Sequence, residues 1–84
     1  MKNKKKLINQ IIYRSTHRGT KEMDILLGSF VKRYINKFND KELSDLVEIL
    51  NYDDEILYKL YFNKNYNITI KGNRILEMLK KFKL

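Results

Sequence analysis

The sequence predicts a small all-α protein in which residues 1–84 form a single-domain bundle of about five helices. Apolar residues recur at spacings of three and four in five segments, which is the period of an amphipathic helix. The chain contains no proline and no Gly/Ser-rich linker, so nothing divides it into domains. The alternation at residues 68–71 is typical of a strand, but the sequence offers no second strand to pair with it.

The first two helices are expected over residues 5–15 and 20–38. The first has a narrow apolar stripe, made of Leu7, Ile8, Ile11 and Ile12. The second has a wider one, made of Met23, Leu26, Leu27, Phe30, Val31, Tyr34, Ile35 and Phe38. A face this wide requires cover on more than one side, so we expect the second helix to be central. Gly28 lies inside it at a cost of roughly 1 kcal/mol relative to alanine, which favours close packing of another helix or a bend.

The remaining helices are expected over residues 40–50, from Asp53 onward, and over residues 72–82. Asn39 and Glu42 have the spacing of a capping box at the start of the third helix. Asp53 is expected to cap the fourth helix, with Asp54 beside it to complement the helix dipole. We interpret residues 68–71 as irregular chain that leads into the last helix.

The stretch His17-Arg18-Gly19-Thr20-Lys21-Glu22-Met23-Asp24 connects the first two helices. Gly19 suits a tight turn, because glycine reaches positive φ at little cost. Glu22 and Asp24 are expected in the first turn of the second helix. One interpretation is structural, with Arg18 and Glu22 forming a surface ion pair worth about 0.3–0.5 kcal/mol. The alternative is that this stretch contacts another molecule.

The net charge of +8 is unevenly distributed. Residues 1–20 contain six basic and no acidic side chains, residues 21–62 contain six and nine, and residues 63–84 contain six and one. Basic ends of this kind can attract nucleic acid or an acidic protein partner, although they are also typical of solvated tails. We expect fraying at residues 1–6 and 80–84.

Enzymatic machinery is scarce in this sequence. The absence of cysteine and the single histidine, His17, argue against a metal site, and no phosphate-binding glycine loop is present. Ser15 beside His17 is more simply a polar pair at a helix end than a nucleophile and base. No apolar run is long enough for a membrane span, and no signal peptide follows the basic start. We therefore expect a soluble, unprocessed, non-catalytic protein.

Aromatic residues outside the apolar stripes form a further group. They are Tyr52, Tyr58 and Tyr66. Tyrosine is enriched at protein interfaces because its ring is apolar and its hydroxyl is polar. These three tyrosines are therefore candidates for a protein-binding surface.

Two segments resemble the FAD assembly factors of succinate dehydrogenase, small helical proteins with an Arg-Gly-x-x-Glu signature. The first is Arg18-Gly19-Thr20-Lys21-Glu22, which continues to Leu27-Gly28-Ser29-Phe30. The second is Leu50-Asn51-Tyr52-Asp53-Asp54-Glu55, in which an acidic pair opens a late helix. The resemblance covers about residues 8–62. Ser29, Glu55-Ile56 and Leu60 depart from the family pattern, whereas Arg18, Gly19 and Glu22 agree with it.

The resemblance implies a chaperone that binds the flavoprotein subunit of succinate dehydrogenase, or of fumarate reductase. It promotes covalent attachment of FAD to that subunit while holding no FAD or metal stably itself. The implied location is the bacterial cytoplasm or the mitochondrial matrix, and the free protein is expected to be a monomer. The expected partner-binding residues are Arg18, Gly19, Glu22, His17, Asp24, Asp53 and Asp54.

Two other functions compete with this one. The charge of +8 is also compatible with a small nucleic-acid-binding protein. A helix that reads DNA is usually basic, however, and the segment over residues 40–50 is acidic. An enzyme that binds flavin ranks last, because the sequence has no phosphate-cradling motif.

Overall fold

Five α-helices, joined by short connections, form the structure, which is a computed structural model that describes residues 2–63, 65–66 and 72–84. The elements are α1 (Lys2–Thr16), α2 (Lys21–Tyr34), a 3₁₀ helix (Ile35–Lys37), α3 (Asp40–Leu50), α4 (Asp54–Phe62) and α5 (Arg74–Lys81). Helix α2 packs against α1 and α4, while α3 packs against α1 and α5. The prediction of an all-α bundle of about five helices is confirmed.

Helix boundaries agree with the sequence patterns where side chains cap the backbone. Helix α3 covers the predicted residues 40–50, and Asn39 and Glu42 form the predicted capping box. The predicted second helix is shorter than expected, since α2 ends at Tyr34 and a 3₁₀ turn follows. The chain must leave helical geometry before Asn39, because an N-cap residue has extended backbone angles.

The two ends of the chain also differ from their predicted boundaries. Helix α1 begins at Lys2 rather than at the predicted Lys5. Helix α5 begins at Arg74 rather than at Gly72, because Gly72 has a φ of 78° and Asn73 caps the helix by accepting from the Leu76 N–H. The alternating segment over residues 68–71 lies outside the described residues.

The core lies around α2. Its apolar face is buried as predicted and includes Met23, Leu26, Leu27, Phe30 and Val31. The Phe30 ring contacts Tyr34 and Phe82, with ring centroids 5.2 and 5.4 Å apart. These contacts bring the end of the chain against the central helix, and the expectation that α2 is covered on more than one side is confirmed.

One buried polar side chain connects α3 with α5, and another binds a lysine within α3 itself. The side-chain amide of Asn73 donates to the Asp45 carbonyl oxygen at 2.9 Å, so the residue that caps α5 also holds α5 against α3. The buried carboxylate of Asp45 accepts from Lys41 Nζ at 2.8 Å. This hydrogen bond, together with the charge of Asp45, raises the pKa of Lys41.

Gly28 lies where α1 and α2 meet. A Cβ atom at this position would lie 3.3 Å from Thr16 Cγ2, so the helices approach each other closely here. The predicted close packing at Gly28 is therefore confirmed, and it explains why a residue of low helix propensity occurs inside the central helix.

We expect the substitution Gly28→Leu to lower the free energy of unfolding by about 1–3 kcal/mol, because the larger side chain overpacks the α1–α2 contact. In a domain of this size each kcal/mol corresponds to roughly 4–8 °C in melting temperature. Thermal unfolding followed by circular dichroism measures the loss. Lys32→Leu, at an exposed position of the same helix, is the matched control. Equal melting temperatures for the two variants would contradict this account.

Candidate functional site

The turn between α1 and α2 directs the side chain of Arg18 into the protein. Its Nε donates to Asp54 Oδ1 at 2.7 Å, and its two terminal nitrogens donate to the carbonyl oxygens of Leu50 and Tyr52 at 3.0 and 2.8 Å. The side chains of Arg18 and Asp54 are only 11 % and 19 % exposed. Arg18 thus connects the α1–α2 turn to both the end of α3 and the start of α4.

Arg14 reinforces the same connection from the last turns of α1. One of its terminal nitrogens donates to Asn51 Oδ1 at 2.7 Å and to the Leu50 carbonyl oxygen at 3.3 Å. The last carbonyl groups of a helix have no partner within the helix and carry partial negative charge. Arg14, on α1, and Arg18, in the turn that follows α1, therefore both stabilise the C-terminal end of α3.

Gly19 is required by a close approach rather than by its backbone angles. Its N–H donates to Asp54 Oδ2 at 2.6 Å, and a Cβ atom would lie 3.1 Å from that same oxygen. The expectation of positive φ at Gly19 is wrong, since among the described residues only Gly72 has a positive φ. The carboxylate of Asp54 thus binds Arg18 through one oxygen and Gly19 through the other. We call these contacts of Arg18, Gly19 and Asp54 the arginine latch.

Asp24 also contributes to the turn. Its Oδ1 accepts a hydrogen bond from the backbone N–H of Arg18. Thr20, the N-cap of α2, accepts from the Met23 N–H at 3.3 Å. Asp24 therefore holds the backbone from which the Arg18 side chain extends.

The acidic pair at the start of α4 differs from its prediction. Asp53 occupies the N-cap position, but its side chain makes no capping hydrogen bond, so the predicted side-chain cap is wrong. Asp54 belongs to the arginine latch rather than only complementing the helix dipole. The contact between Arg18 and Asp54 was not predictable from helical spacing, because the two residues are 36 positions apart.

Glu22 and His17 lie on the outside of the turn. Both are exposed. The suggested ion pair between Arg18 and Glu22 is wrong, because Arg18 pairs with Asp54 and no ion pair of Glu22 occurs within the described ranges. His17 Nδ1 lies 2.9 Å from the Tyr13 carbonyl oxygen, and its ring stacks on Tyr13 with centroids 4.0 Å apart.

Next to the latch, a groove of about 540 Å³ runs between the start of α2 and the length of α4. We call it the α2–α4 groove, and its lining consists of Thr20, Glu22, Asp54, Glu55, Tyr58, Lys59, Phe62 and Asn63. Of the three tyrosines outside the predicted stripes, Tyr58 is 46 % exposed, whereas Tyr52 and Tyr66 are half-buried against the core. Phe62, at 45 % exposed, was missed. Its spacing of four from Tyr58 was the available signal, because residues at i and i+4 share a helix face.

In the part of the chain that the structure describes, no group of three or more histidine or acidic side chains is placed to hold a metal ion. None of the described helices is long and apolar enough to cross a membrane.

A sequence model of the family described as the flavinator of succinate dehydrogenase matches residues 9–83. The chain belongs to this family. The match includes the latch, the α2–α4 groove and α5, so it extends beyond residues 8–62, where the resemblance was visible. The family match therefore covers the helical bundle from the middle of α1 to the end of α5.

Individual relatives are assembly factors by name. The mitochondrial succinate dehydrogenase assembly factor 2 of Scheffersomyces stipitis is 37 % identical over 76 residues, which cover 84 % of this chain and 50 % of the relative. The protein of the same name from Arabidopsis thaliana is 35 % identical over 57 residues, covering 68 % and 30 %. The FAD assembly factor SdhE of Wigglesworthia glossinidia brevipalpis is 34 % identical over 73 residues, covering 87 % and 83 %. The chain spans half or less of the first two proteins and most of the third.

We expect Arg18→Ala to lower the free energy of unfolding by about 2–4 kcal/mol, because it leaves Asp54 and the Tyr52 carbonyl group without their charged partner. Arg18→Lys should recover only part of this loss, since an ammonium group cannot reproduce the planar geometry of a guanidinium. Urea unfolding followed by circular dichroism measures both. Lys21→Ala, an exposed change in the same turn, is the control and should cost less than about 0.5 kcal/mol. An Arg18→Ala variant as stable as this control would refute the structural role of the latch.

Proposed function

We propose that this protein binds the flavoprotein subunit of succinate dehydrogenase and promotes covalent attachment of FAD to it, as a non-catalytic assembly factor. The observation that carries the proposal is the arginine latch, because it explains an Arg-Gly-x-x-Glu signature in a chain of the flavinator family. The names of the relatives support the same role. The bond-forming chemistry is assigned to the flavin and the subunit.

The latch separates the signature into an inward and an outward part. Arg18 and Gly19 bind Asp54 and fix the start of α2 against the start of α4. Glu22 lies in the first turn of α2, exposed and at the edge of the α2–α4 groove. In this proposal, Arg18 and Gly19 maintain the shape of the binding surface, whereas Glu22 contacts the subunit. Three of the five N–H groups of Arg18 are already used within the chain, which favours this division.

The names of the relatives indicate where this protein is expected to act. The yeast and plant relatives are named as mitochondrial proteins, and the Wigglesworthia relative is an FAD assembly factor. We therefore propose the mitochondrial matrix for a eukaryotic source and the cytoplasm for a bacterial one. Nucleic acid fits the α2–α4 groove poorly, because the exposed acids Glu22 and Glu55 would repel phosphate groups.

Two substitutions in the signature should both reduce covalent flavin on the co-expressed subunit, for different reasons. Gly19→Arg places a side chain against Asp54 and inserts a second guanidinium into the latch, so we expect both stability and flavinylation to fall. Glu22→Gln removes an exposed charge, so we expect flavinylation to fall several-fold with an unchanged melting temperature. In-gel flavin fluorescence of the denatured subunit measures attachment.

The control for Glu22→Gln is Glu77→Gln, an exposed acid on α5 outside the groove. Covalent flavin should stay at the wild-type level with this control. The proposed function fails if omitting the protein altogether leaves covalent flavin on the subunit unchanged. The proposed division of the signature is wrong if the subunit carries as much covalent flavin with Glu22→Gln as with Glu77→Gln.

The isolated protein is expected to bind FAD weakly or not at all, since its sequence has no phosphate-cradling glycine loop. Titration of the protein into FAD, followed by flavin fluorescence anisotropy, should show no saturable rise at micromolar concentrations. Addition of the flavoprotein subunit to the same cuvette is the positive control. Tight stoichiometric binding by the isolated protein would instead indicate a flavin-binding protein.

A further inference from the structure

The α2–α4 groove combines an apolar side with an acidic edge on a protein of charge +8. We propose that it docks a basic segment of the flavoprotein subunit. In this arrangement a lysine or arginine cation lies against Glu22, and its aliphatic stem packs on the rings of Tyr58 and Phe62. The inference rests on the proposed function and identifies the chemistry of the segment that is recognised.

The apolar side of the groove is held in place by neighbouring rings. The ring centroid of Phe62 lies 4.5 Å from that of Tyr58 and 4.8 Å from that of Tyr61. Tyr61 packs against the core, and its hydroxyl donates to the Phe82 carbonyl oxygen. Tyr58 and Phe62 are nevertheless almost half exposed. A rigid aromatic pair that remains exposed offers apolar area to a partner at little entropic cost.

The acidic edge is selective for a cation. Glu55 Oε1 lies 3.4 Å from Lys59 Nζ, which also lies 5.7 Å from the centre of the Tyr66 ring. The charge of Glu55 is therefore largely compensated by Lys59, within α4. Asp54 is compensated by Arg18. Glu22 is the groove acid for which the described residues supply no hydrogen bond or ion pair. An incoming cation therefore finds its counter-charge at Glu22.

The side chains of lysine and arginine match both parts of the groove. Their aliphatic stems pack on apolar surface while the charged group stays at the rim. A cation close to a tyrosine or phenylalanine ring also gains a cation–π attraction. The negative charges of Glu22 and Glu55 would repel an anionic segment. A purely apolar segment would remove water from Glu22 without giving its charge a partner. A basic segment therefore satisfies both Glu22 and the exposed rings of Tyr58 and Phe62.

The arginine latch determines whether the groove exists in this form. Asp54 belongs to both structures, and the groove residues Thr20 and Glu22 lie one and three positions after Gly19. Loss of the latch would allow the starts of α2 and α4 to separate, which would move Glu22 away from Tyr58 and Phe62. Variants of the groove itself should instead leave the fold intact.

Isothermal titration of the purified protein into the purified flavoprotein subunit tests the inference at low and high salt. We expect Tyr58→Ala and Phe62→Ala each to weaken binding by about tenfold, the size of a moderate interface hot spot. Glu22→Gln should weaken binding about fivefold at low salt and reduce the salt dependence of the affinity. Glu22→Lys should weaken it further, because it places a like charge against the bound cation.

Matched controls come from outside the groove. Leu84→Ala removes an apolar side chain that is 61 % exposed after α5, and Glu77→Gln removes an exposed acid on α5. Both should bind like the wild type, and circular dichroism checks that each variant is folded. If Phe62→Ala does not fold, Tyr58→Ala, on the same face, carries the test.

The outcomes separate the two proposals. No binding by the wild-type protein would overturn the proposed function. Wild-type binding with groove variants that bind equally well would overturn only the basic-segment inference. Glu22→Lys binding more tightly than the wild type would also overturn it, because the segment would then be acidic.

Discussion

The fold depends on how the C-terminal end of α3 is stabilised. The last turn of α3 contains no basic residue, so its partial negative charge lacks a local counter-charge. Arg14 and Arg18 supply it from α1 and the following turn by donating to the Leu50 carbonyl oxygen. Because Arg18 also binds Asp54 and the Tyr52 carbonyl oxygen, a single guanidinium fixes the relative positions of three helices.

This arrangement gives the Arg-Gly-x-x-Glu signature a physical explanation. The arginine needs its planar set of donors to reach one carboxylate and two carbonyl groups, which a lysine cannot do. The glycine leaves room for its own N–H to reach the second oxygen of Asp54. The glutamate, one turn later, remains exposed beside an aromatic groove. A short motif therefore combines a structural function with a recognition function.

The candidate site was predictable in its residues and less so in its contacts. Arg18, Gly19, Glu22 and Asp54 were all selected from the sequence. Their pairing was not, because helical spacing suggested Arg18 with Glu22, whereas the observed partner is Asp54. A partly buried ion pair with two additional carbonyl acceptors outweighs an exposed pair that is worth only about 0.3–0.5 kcal/mol.

The sequence alone determined the local features of this protein, because these depend on residues a few positions apart. They include the helical stripes and the capping box of Asn39 and Glu42. The tertiary structure decided which charged groups meet across 36 positions of chain and which aromatic rings remain exposed. Those contacts depend on how helices pack against one another, and helical periodicity does not encode the position of one helix relative to the next. The latch and the groove are both products of that packing.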